Sequence, residues 1–293
     1  MAGFLQEIVE GLGAGAIYAS LALALVLIYQ FTGIVNFAQG ELAMFSAYIA
    51  WQFMAAGLPF WLALVLTLAV SFAGGMLIER VVIRPVEGAP ELTVVIVTVG
   101  LFIFVNAAAG WIWSFLIKDF PNPFPGGAIE AGGLSLGYST LGIMAVVGVV
   151  MGLLYLLFQH TKVGLGMRAV ATNPSSARLV GIRVGWTLAL GWGLAATVGA
   201  VSGILVAPLL FLEPNMMGGV LIYAFAAATL GGFDSPVGAV VGGLVVGVAE
   251  TLAGAYVGFI GSDLKVGVPL VIILFILLLR PQGLFGRAAV ERA

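Results

Sequence analysis

The stretch Lys162–Arg183, KVGLGMRAVATNPSSARLVGIR, lies between two long apolar segments and is the longest polar interval in the second half of the chain. No acidic residue occurs between Lys162 and Leu212, whereas the same interval carries the basic side chains of Lys162, Arg168, Arg178 and Arg183. Basic loops between membrane spans stay in the cytoplasm. This stretch, called the basic segment below, therefore predicts the orientation of the spans on both sides of it.

A short helix is predicted in the middle of the basic segment. Asn173 has the properties of an N-cap, Pro174 suits the first helical position, and Gly181 suits the residue that follows a helix C-terminus. The helix Pro174–Val180 would make about two turns and be roughly 10 Å long. Such a short helix is unstable alone in water, because nucleation costs more than so few hydrogen bonds return. We therefore expect it to pack on the membrane domain, on a soluble partner, or on both.

The composition is that of a membrane protein. Of the 293 residues, 62% are hydrophobic and 8% are charged, against roughly 25% charged residues in a soluble domain. The apolar runs are long enough for helices rather than barrel strands, which predicts an all-α polytopic membrane protein. The absence of cysteine excludes disulfides and thiolate chemistry, and nothing in the charge pattern supports nucleic-acid binding. No Lys or Arg precedes Arg80, so we expect the N-terminus to be retained rather than cleaved as a signal peptide.

Nine apolar segments are predicted, and the seventh, with about 14 residues, is short for a full crossing. They are Gly11–Tyr29, Phe37–Met54, Phe60–Ile78, Leu92–Trp113, Tyr138–Phe158, Trp186–Leu210, Gly219–Gly232, Gly238–Val257 and Leu264–Leu279. The basic clusters place the N-terminus outside and the C-terminus in the cytoplasm. Merging the seventh segment with a neighbour would leave eight. We predict one permease-like transmembrane domain over 1–293, with a cytoplasmic loop at 160–185 and an extracytoplasmic loop at about 114–137.

Three enzyme motifs are weak or absent. Gly164–Ala169 matches a dinucleotide fingerprint, but it follows a membrane span and lacks the acidic residue expected about 20 positions later. Gly133–Gly137 matches the G-x-S-x-G nucleophile elbow, but the sole histidine, His160, is predicted on the other side of the membrane. No lysine follows a glycine, so the chain has no P-loop, and any ATP dependence must come from a partner.

Four polar residues in or directly beside the apolar segments are candidates for a substrate path: Asn36, Gln39, Glu41 and Glu250. Ionisable groups inside a membrane are functional candidates by default. Each also has a structural interpretation. The Asn36–Gln39 spacing resembles a capping box that would start a helix at Phe37, and Glu41 would then lie in a helical turn that favours a carboxylate. Glu250 would pair across helices, and the amides would hydrogen-bond between helices.

Four blocks, in order along the chain, resemble branched-chain amino-acid ABC permeases of the LivH type. They are IVNFAQGELAMFSAY at Ile34–Tyr48, the basic segment with its G-x-x-x-R-A-x-A pattern, LGGFDSPVGA at Leu230–Ala239, and RPQGLFG at Arg280–Gly286. In the first block Gln39 replaces the family's usual histidine. This resemblance implies a permease subunit of a binding-protein-dependent importer in the cytoplasmic (inner) membrane of a bacterium or archaeon.

The resemblance also implies partners. It implies a second homologous permease, two cytoplasmic ATPase subunits that bind the ATP and magnesium, an extracytoplasmic solute-binding protein, and surrounding lipid, with no cofactor on this chain. It further implies that the basic segment couples to the ATPases through Arg168, Asn173, Pro174, Ala177, Arg178 and Gly181. The substrate would be a branched-chain or related amino acid, urea or a short amide, and the solute-binding protein would select among these.

Two other function classes can be weighed from the residues alone. An ion-coupled secondary transporter of small polar solutes would use intramembrane carboxylates, of which Glu250 is the best placed. An intramembrane enzyme is disfavoured, because its candidate nucleophile Ser135 is predicted on the opposite side of the membrane from the sole histidine, so no nucleophile–base pair can form.

Overall fold

The structure, a computed structural model, describes residues 2–132, 134–258 and 264–286. Within these ranges the chain forms helices joined mostly by short turns, with one β-hairpin. The helices are α1 (Ala2–Thr32), α2 (Gln39–Ala55), α3 (Phe60–Ile78), α4 (Glu91–Trp113), α5 (Tyr138–His160), α6 (Lys162–Thr172), α7 (Pro174–Leu179), α8 (Val184–Leu210), α9 (Met217–Gly231), α10 (Pro236–Tyr256) and α11 (Gly267–Leu279). The hairpin pairs β1 (Ala128–Ala131) with β2 (Leu134–Gly137).

Six of the described helices, α1, α3, α4, α5, α8 and α10, are long and apolar enough to cross a membrane. The helices α9 and α11 are apolar but shorter. The predicted all-α polytopic membrane class is confirmed. Each of the nine predicted apolar segments overlaps one helix, and the short seventh segment corresponds to α9. The sides on which the two termini lie stay a prediction.

Prolines and glycines set several of the helix ends. Pro59 and Pro90 precede α3 and α4 in extended conformation, as expected because a proline suits a helix start but not an interior. Gly57, with φ of 91°, ends the turn between α2 and α3 in a left-handed conformation that favours glycine. After α3 the chain continues through a π-helical turn, Glu79–Ile83, and a short 3₁₀ turn that contains Pro85.

The described residues group into two compact units. The first comprises the described parts of Met1–Val26, Phe124–Ala145 and Gly219–Ala293. The second comprises Leu27–Pro123 and Val146–Gly218. That the whole chain acts as a single permease domain stays a prediction.

In the first unit, α1 and α10 approach closely because glycines face each other. A Cβ atom placed on Gly15 would lie 2.8 Å from the Gly243 carbonyl oxygen and from the Leu244 Cα atom. In the second unit, α8 is the most buried helix and packs against α2 and α3. A Cβ on Gly203 would overlap the backbone of Ala43 on α2. Small residues at such contacts allow the close backbone approach typical of helix packing in membranes.

One predicted helix start differs from the structure, and two elements of the structure were not predicted. The second helix begins at Gln39 rather than at Phe37, because residues 37 and 38 form a turn in which Oδ1 of Asn36 accepts a hydrogen bond from the Ala38 amide. The helix α6 was not predicted, since Gly164 and Gly166 lower its intrinsic helix propensity. The β-hairpin within the predicted extracytoplasmic loop was also not predicted.

Candidate functional site

The basic segment folds into two consecutive helices with side-chain caps. The Thr161 hydroxyl accepts a 3.0 Å hydrogen bond from the Gly164 amide at the start of α6. Oδ1 of Asn173 accepts a 2.9 Å bond from the Ser176 amide at the start of α7, where Pro174 takes the first position. Gly181 has φ of 86° just after the helix. The predicted cap, proline and terminal glycine are confirmed, with the helix ending at Leu179 rather than Val180.

One side of this helix pair packs on its own unit. Ala177 is 3% exposed and lies in a core cluster with Met167, Val170, Val184 and Leu188. The two residues that end the pair lie on the opposite surface: Leu179 is 88% and Val180 is 75% exposed. Two adjacent large apolar side chains are thus exposed within a polar segment, and the role of this segment in coupling stays a prediction.

The basic side chains of the segment are on its surface. Nη1 of Arg168 donates a 3.0 Å hydrogen bond to Oε1 of Gln159, at the end of α5. Arg178 is exposed in the last turn of α7, where its charge complements the partial negative charge of the helix end. Of the six predicted coupling residues, Ala177 is thus the one turned into its own unit.

The side chains of Asn36 and Gln39 are fully buried and bonded to each other and to the backbone. Nδ2 of Asn36 donates to Oε1 of Gln39 at 3.2 Å, and its Oδ1 accepts from the Ala38 amide at 3.1 Å. Nε2 of Gln39 donates to the Ala195 carbonyl on α8 at 3.1 Å. These bonds fasten the start of α2 to α8, which favours the structural interpretation of both amides.

Glu41 lies two residues further along α2 and is 2% exposed. Its Oε2 accepts a 3.2 Å hydrogen bond from Nδ2 of Asn106 on α4. The same nitrogen donates to the Pro214 carbonyl oxygen at 2.9 Å and to Oδ1 of Asn215 at 3.3 Å, both in the loop between α8 and α9. The cluster is therefore polar and joins three separate parts of the second unit.

Glu250 belongs to the first unit and is bound by two tyrosines. Tyr18 on α1 donates to Oε2 at 2.9 Å, and Tyr223 on α9 donates to Oε1 at 3.4 Å. The two rings stack with centroids 4.5 Å apart and planes 6° apart. Each carboxylate oxygen thus has its own donor, as the interpretation of pairing across helices predicts.

The structure brings Asn36 and Gln39 together and places Glu41 beside them on α2, whereas Glu250 lies in the other unit. Sequence reasoning did not foresee Tyr18, Tyr223 or Asn215 as partners. The one signal for the Glu41 cluster was Asn106, a single amide within an otherwise apolar stretch of α4.

Comparison of the chain with known proteins identifies its family and a structure of similar fold. The model of the family described as branched-chain amino acid transport system / permease component matches residues 7–277. The permease protein LivH of the high-affinity branched-chain amino acid transport system of Salmonella typhimurium is 30% identical over 305 residues, covering 99% of this chain and 97% of LivH. BraD of Pseudomonas aeruginosa, with the same description, is 32% identical over 303 residues, covering 99% of this chain and 98% of BraD.

A solved structure, that of PsaBC from Streptococcus pneumoniae in complex with Fab, has a similar fold. The TM-score is 0.50 and the identity 15%, over 95% of this chain and 92% of that chain. At this identity the likeness concerns the fold alone. The match of the family model to nearly the whole chain shows that the protein belongs to the family of permease components of branched-chain amino acid transport systems.

Proposed function

We propose that the chain is the membrane-spanning permease subunit of an ATP-binding-cassette importer in the cytoplasmic membrane of a bacterium or archaeon. Its substrate is a branched-chain or related amino acid, handed over by an extracytoplasmic solute-binding protein. The observation that carries the proposal is the family match over residues 7–277, supported by relatives of this description aligned over 99% of the chain.

The proposed assembly contains a second homologous permease and two cytoplasmic ATPase subunits. This chain has no P-loop, because none of its lysines follows a glycine. ATP and magnesium therefore belong to the ATPase subunits, and the chain contributes the path and the coupling surface. Closure of the ATPases on ATP draws the two permeases between outward-open and inward-open states.

The basic segment is the proposed contact with an ATPase. Ala177 packs α7 against its own unit, whereas Leu179 at the end of α7 and Val180 just after it are exposed to solvent. Because the helix pair packs on its own unit, movement of a bound partner can be transmitted through it to the membrane spans. The exposed apolar pair supplies the buried centre that such an interface needs, and Arg168 and Arg178 supply a charged rim.

The test is uptake of labelled leucine into proteoliposomes that contain both permeases and the ATPases, with loaded solute-binding protein outside. The proposal predicts uptake that requires ATP inside and the binding protein outside, and that continues when ion gradients are collapsed by ionophores. Uptake that persists without ATP but stops when a proton or sodium gradient is collapsed would instead establish an ion-coupled secondary transporter.

A further inference from the structure

Three oxygen atoms surround one nitrogen atom where α2, α4 and the α8–α9 loop meet. Nδ2 of Asn106 lies 3.2 Å from Oε2 of Glu41, 2.9 Å from the Pro214 carbonyl oxygen and 3.3 Å from Oδ1 of Asn215. A side-chain amide carries two N–H donors. The three oxygens share the two N–H hydrogens of Asn106, so the cluster contains more hydrogen-bond acceptors than Asn106 can fully satisfy.

One of these acceptors is a carboxylate that is short of partners. Glu41 is 2% exposed, and Asn106 is its one side-chain donor among the residues that the structure describes. A buried carboxylate with a single neutral donor is poorly compensated for its lost hydration. Its place in the first turn of α2 offsets only part of that cost. The cluster therefore attracts a cation that donates hydrogen bonds.

We infer that these three oxygens form the recognition site for the ammonium group of a zwitterionic amino acid, and that the Asn106 amide holds the site when no substrate is bound. An ammonium group carries three N–H donors, one for each oxygen of Glu41, Pro214 and Asn215. Its positive charge also pairs with the carboxylate, which a neutral amide cannot do. This inference rests on the proposed function, from which it takes the substrate class.

The burial of the cluster increases from the surface inward. Asn215 is exposed, Asn106 is half-buried and Glu41 is buried. A substrate that arrives at Asn215 can thus replace the amide step by step and reach the carboxylate last. Since the substrate must displace the hydrogen bonds of Asn106, its net affinity stays low. Low affinity is what a transport path needs in order to release its substrate.

A second buried group on the same helix has spare hydrogen-bonding capacity. Tyr48 lies seven residues after Glu41, so both side chains project from the same face of α2. Its hydroxyl is fully buried and has no hydrogen-bond partner among the described residues. Such groups are rare in proteins. Glu250, in contrast, has a separate tyrosine donor on each oxygen, so its binding capacity is already used.

The test measures leucine transported per ATP hydrolysed by the complete importer in proteoliposomes, with loaded solute-binding protein outside. Glu41→Gln keeps the shape of the side chain and removes its charge. It should assemble and hydrolyse ATP in response to the binding protein, while leucine transported per ATP falls at least about tenfold. The control is Glu91→Gln, the same change at an exposed position in the first turn of α4, which should keep the wild-type ratio.

An unchanged ratio in Glu41→Gln overturns the inference. If that variant fails to assemble, Asn215→Ala decides, because Asn215 is exposed and its loss removes one of the three oxygens. Its ratio should fall about threefold or more, and a wild-type ratio would again overturn the inference. Absence of any ATP-dependent leucine uptake by the wild type would overturn the proposed function as well, so the two failures are distinguishable.

Discussion

The hydroxyl of Tyr18 donates a 2.9 Å hydrogen bond to the carboxylate of Glu250, and the two residues are 232 positions apart in the chain. The bond joins α1 to α10, two helices that also meet through facing glycines. Tyr223 donates to the other carboxylate oxygen, so the Glu250 side chain on α10 is hydrogen-bonded to both α1 and α9. This arrangement makes Glu250 a structural centre of the unit.

Replacing Tyr18 with phenylalanine should therefore destabilise the protein. The change leaves a buried carboxylate oxygen without its closest donor, at a cost of about 1–3 kcal/mol. The measurement is the temperature at which half of the detergent-purified protein loses its monodisperse peak. The matched control is Tyr256→Phe on α10, where the side chain is 58% exposed. Equal midpoints for the two variants would show that the Tyr18 hydroxyl contributes nothing.

Two adjacent glycines of α3 should respond in opposite ways to alanine. A Cβ on Gly75 would lie 2.6 Å from the Trp192 carbonyl oxygen of α8, whereas nothing lies within 4 Å of a Cβ on Gly74. Gly75→Ala must push α3 from α8 and should cost about 1–3 kcal/mol. Gly74→Ala should be neutral or stabilise the helix by up to about 1 kcal/mol. The same thermal assay compares the two, and a Gly75→Ala midpoint at or above that of Gly74→Ala would refute the close packing.

Arg84 joins the π-helical turn that follows α3 to the start of α8. Its guanidinium donates to both oxygens of Glu79, at 3.1 and 2.8 Å, and to the Gly185 carbonyl oxygen at 2.6 Å. Lysine cannot reproduce this forked geometry. Because Glu79 is 2% exposed, Arg84→Lys should lower stability by about 1–3 kcal/mol.

The control for this change is Arg80→Lys, which alters an exposed arginine of the π-helical turn that precedes Arg84. Thermal midpoints measured at low and high salt would separate the two effects. The Arg84→Lys loss should persist at high salt because its partner is buried. A loss that vanishes with added salt would indicate an ordinary surface ion pair.

Much of the fold was predictable because long apolar runs in lipid have few alternatives to helices. The third helix was predicted with both ends correct, at Phe60 and Ile78, since a proline precedes it and charges follow it. The helix α6 was not predicted because its two glycines lower helix propensity and make the spacing of its buried residues hard to recognise in the sequence. Gly164, Met167 and Val170 face inward at a spacing of three residues.

The side-chain clusters were less predictable, for a physical reason. The sequence singled out Glu41 and Glu250 because charge is costly in an apolar segment. Their partners, Asn106 and Tyr18, lie far away in sequence, so helix packing decides which polar groups meet. Periodicity within a helix carries no information about that choice. Likewise, the inward orientation of Ala177 became evident only once α6 and α8 packed around it.

The most direct test of the coupling account is capture of the ATPase subunits by the purified permease in detergent. Leu179→Glu places a charge on the most exposed apolar residue of the basic segment, which is 88% exposed, and should leave the fold intact. The matched control is Leu116→Glu, the same change at a 74% exposed position in the predicted extracytoplasmic loop, which the ATPases would not contact. We predict that the wild type and Leu116→Glu capture the ATPases and that Leu179→Glu captures at least about tenfold less. Equal capture by all three proteins would contradict the assignment of the basic segment as the coupling surface.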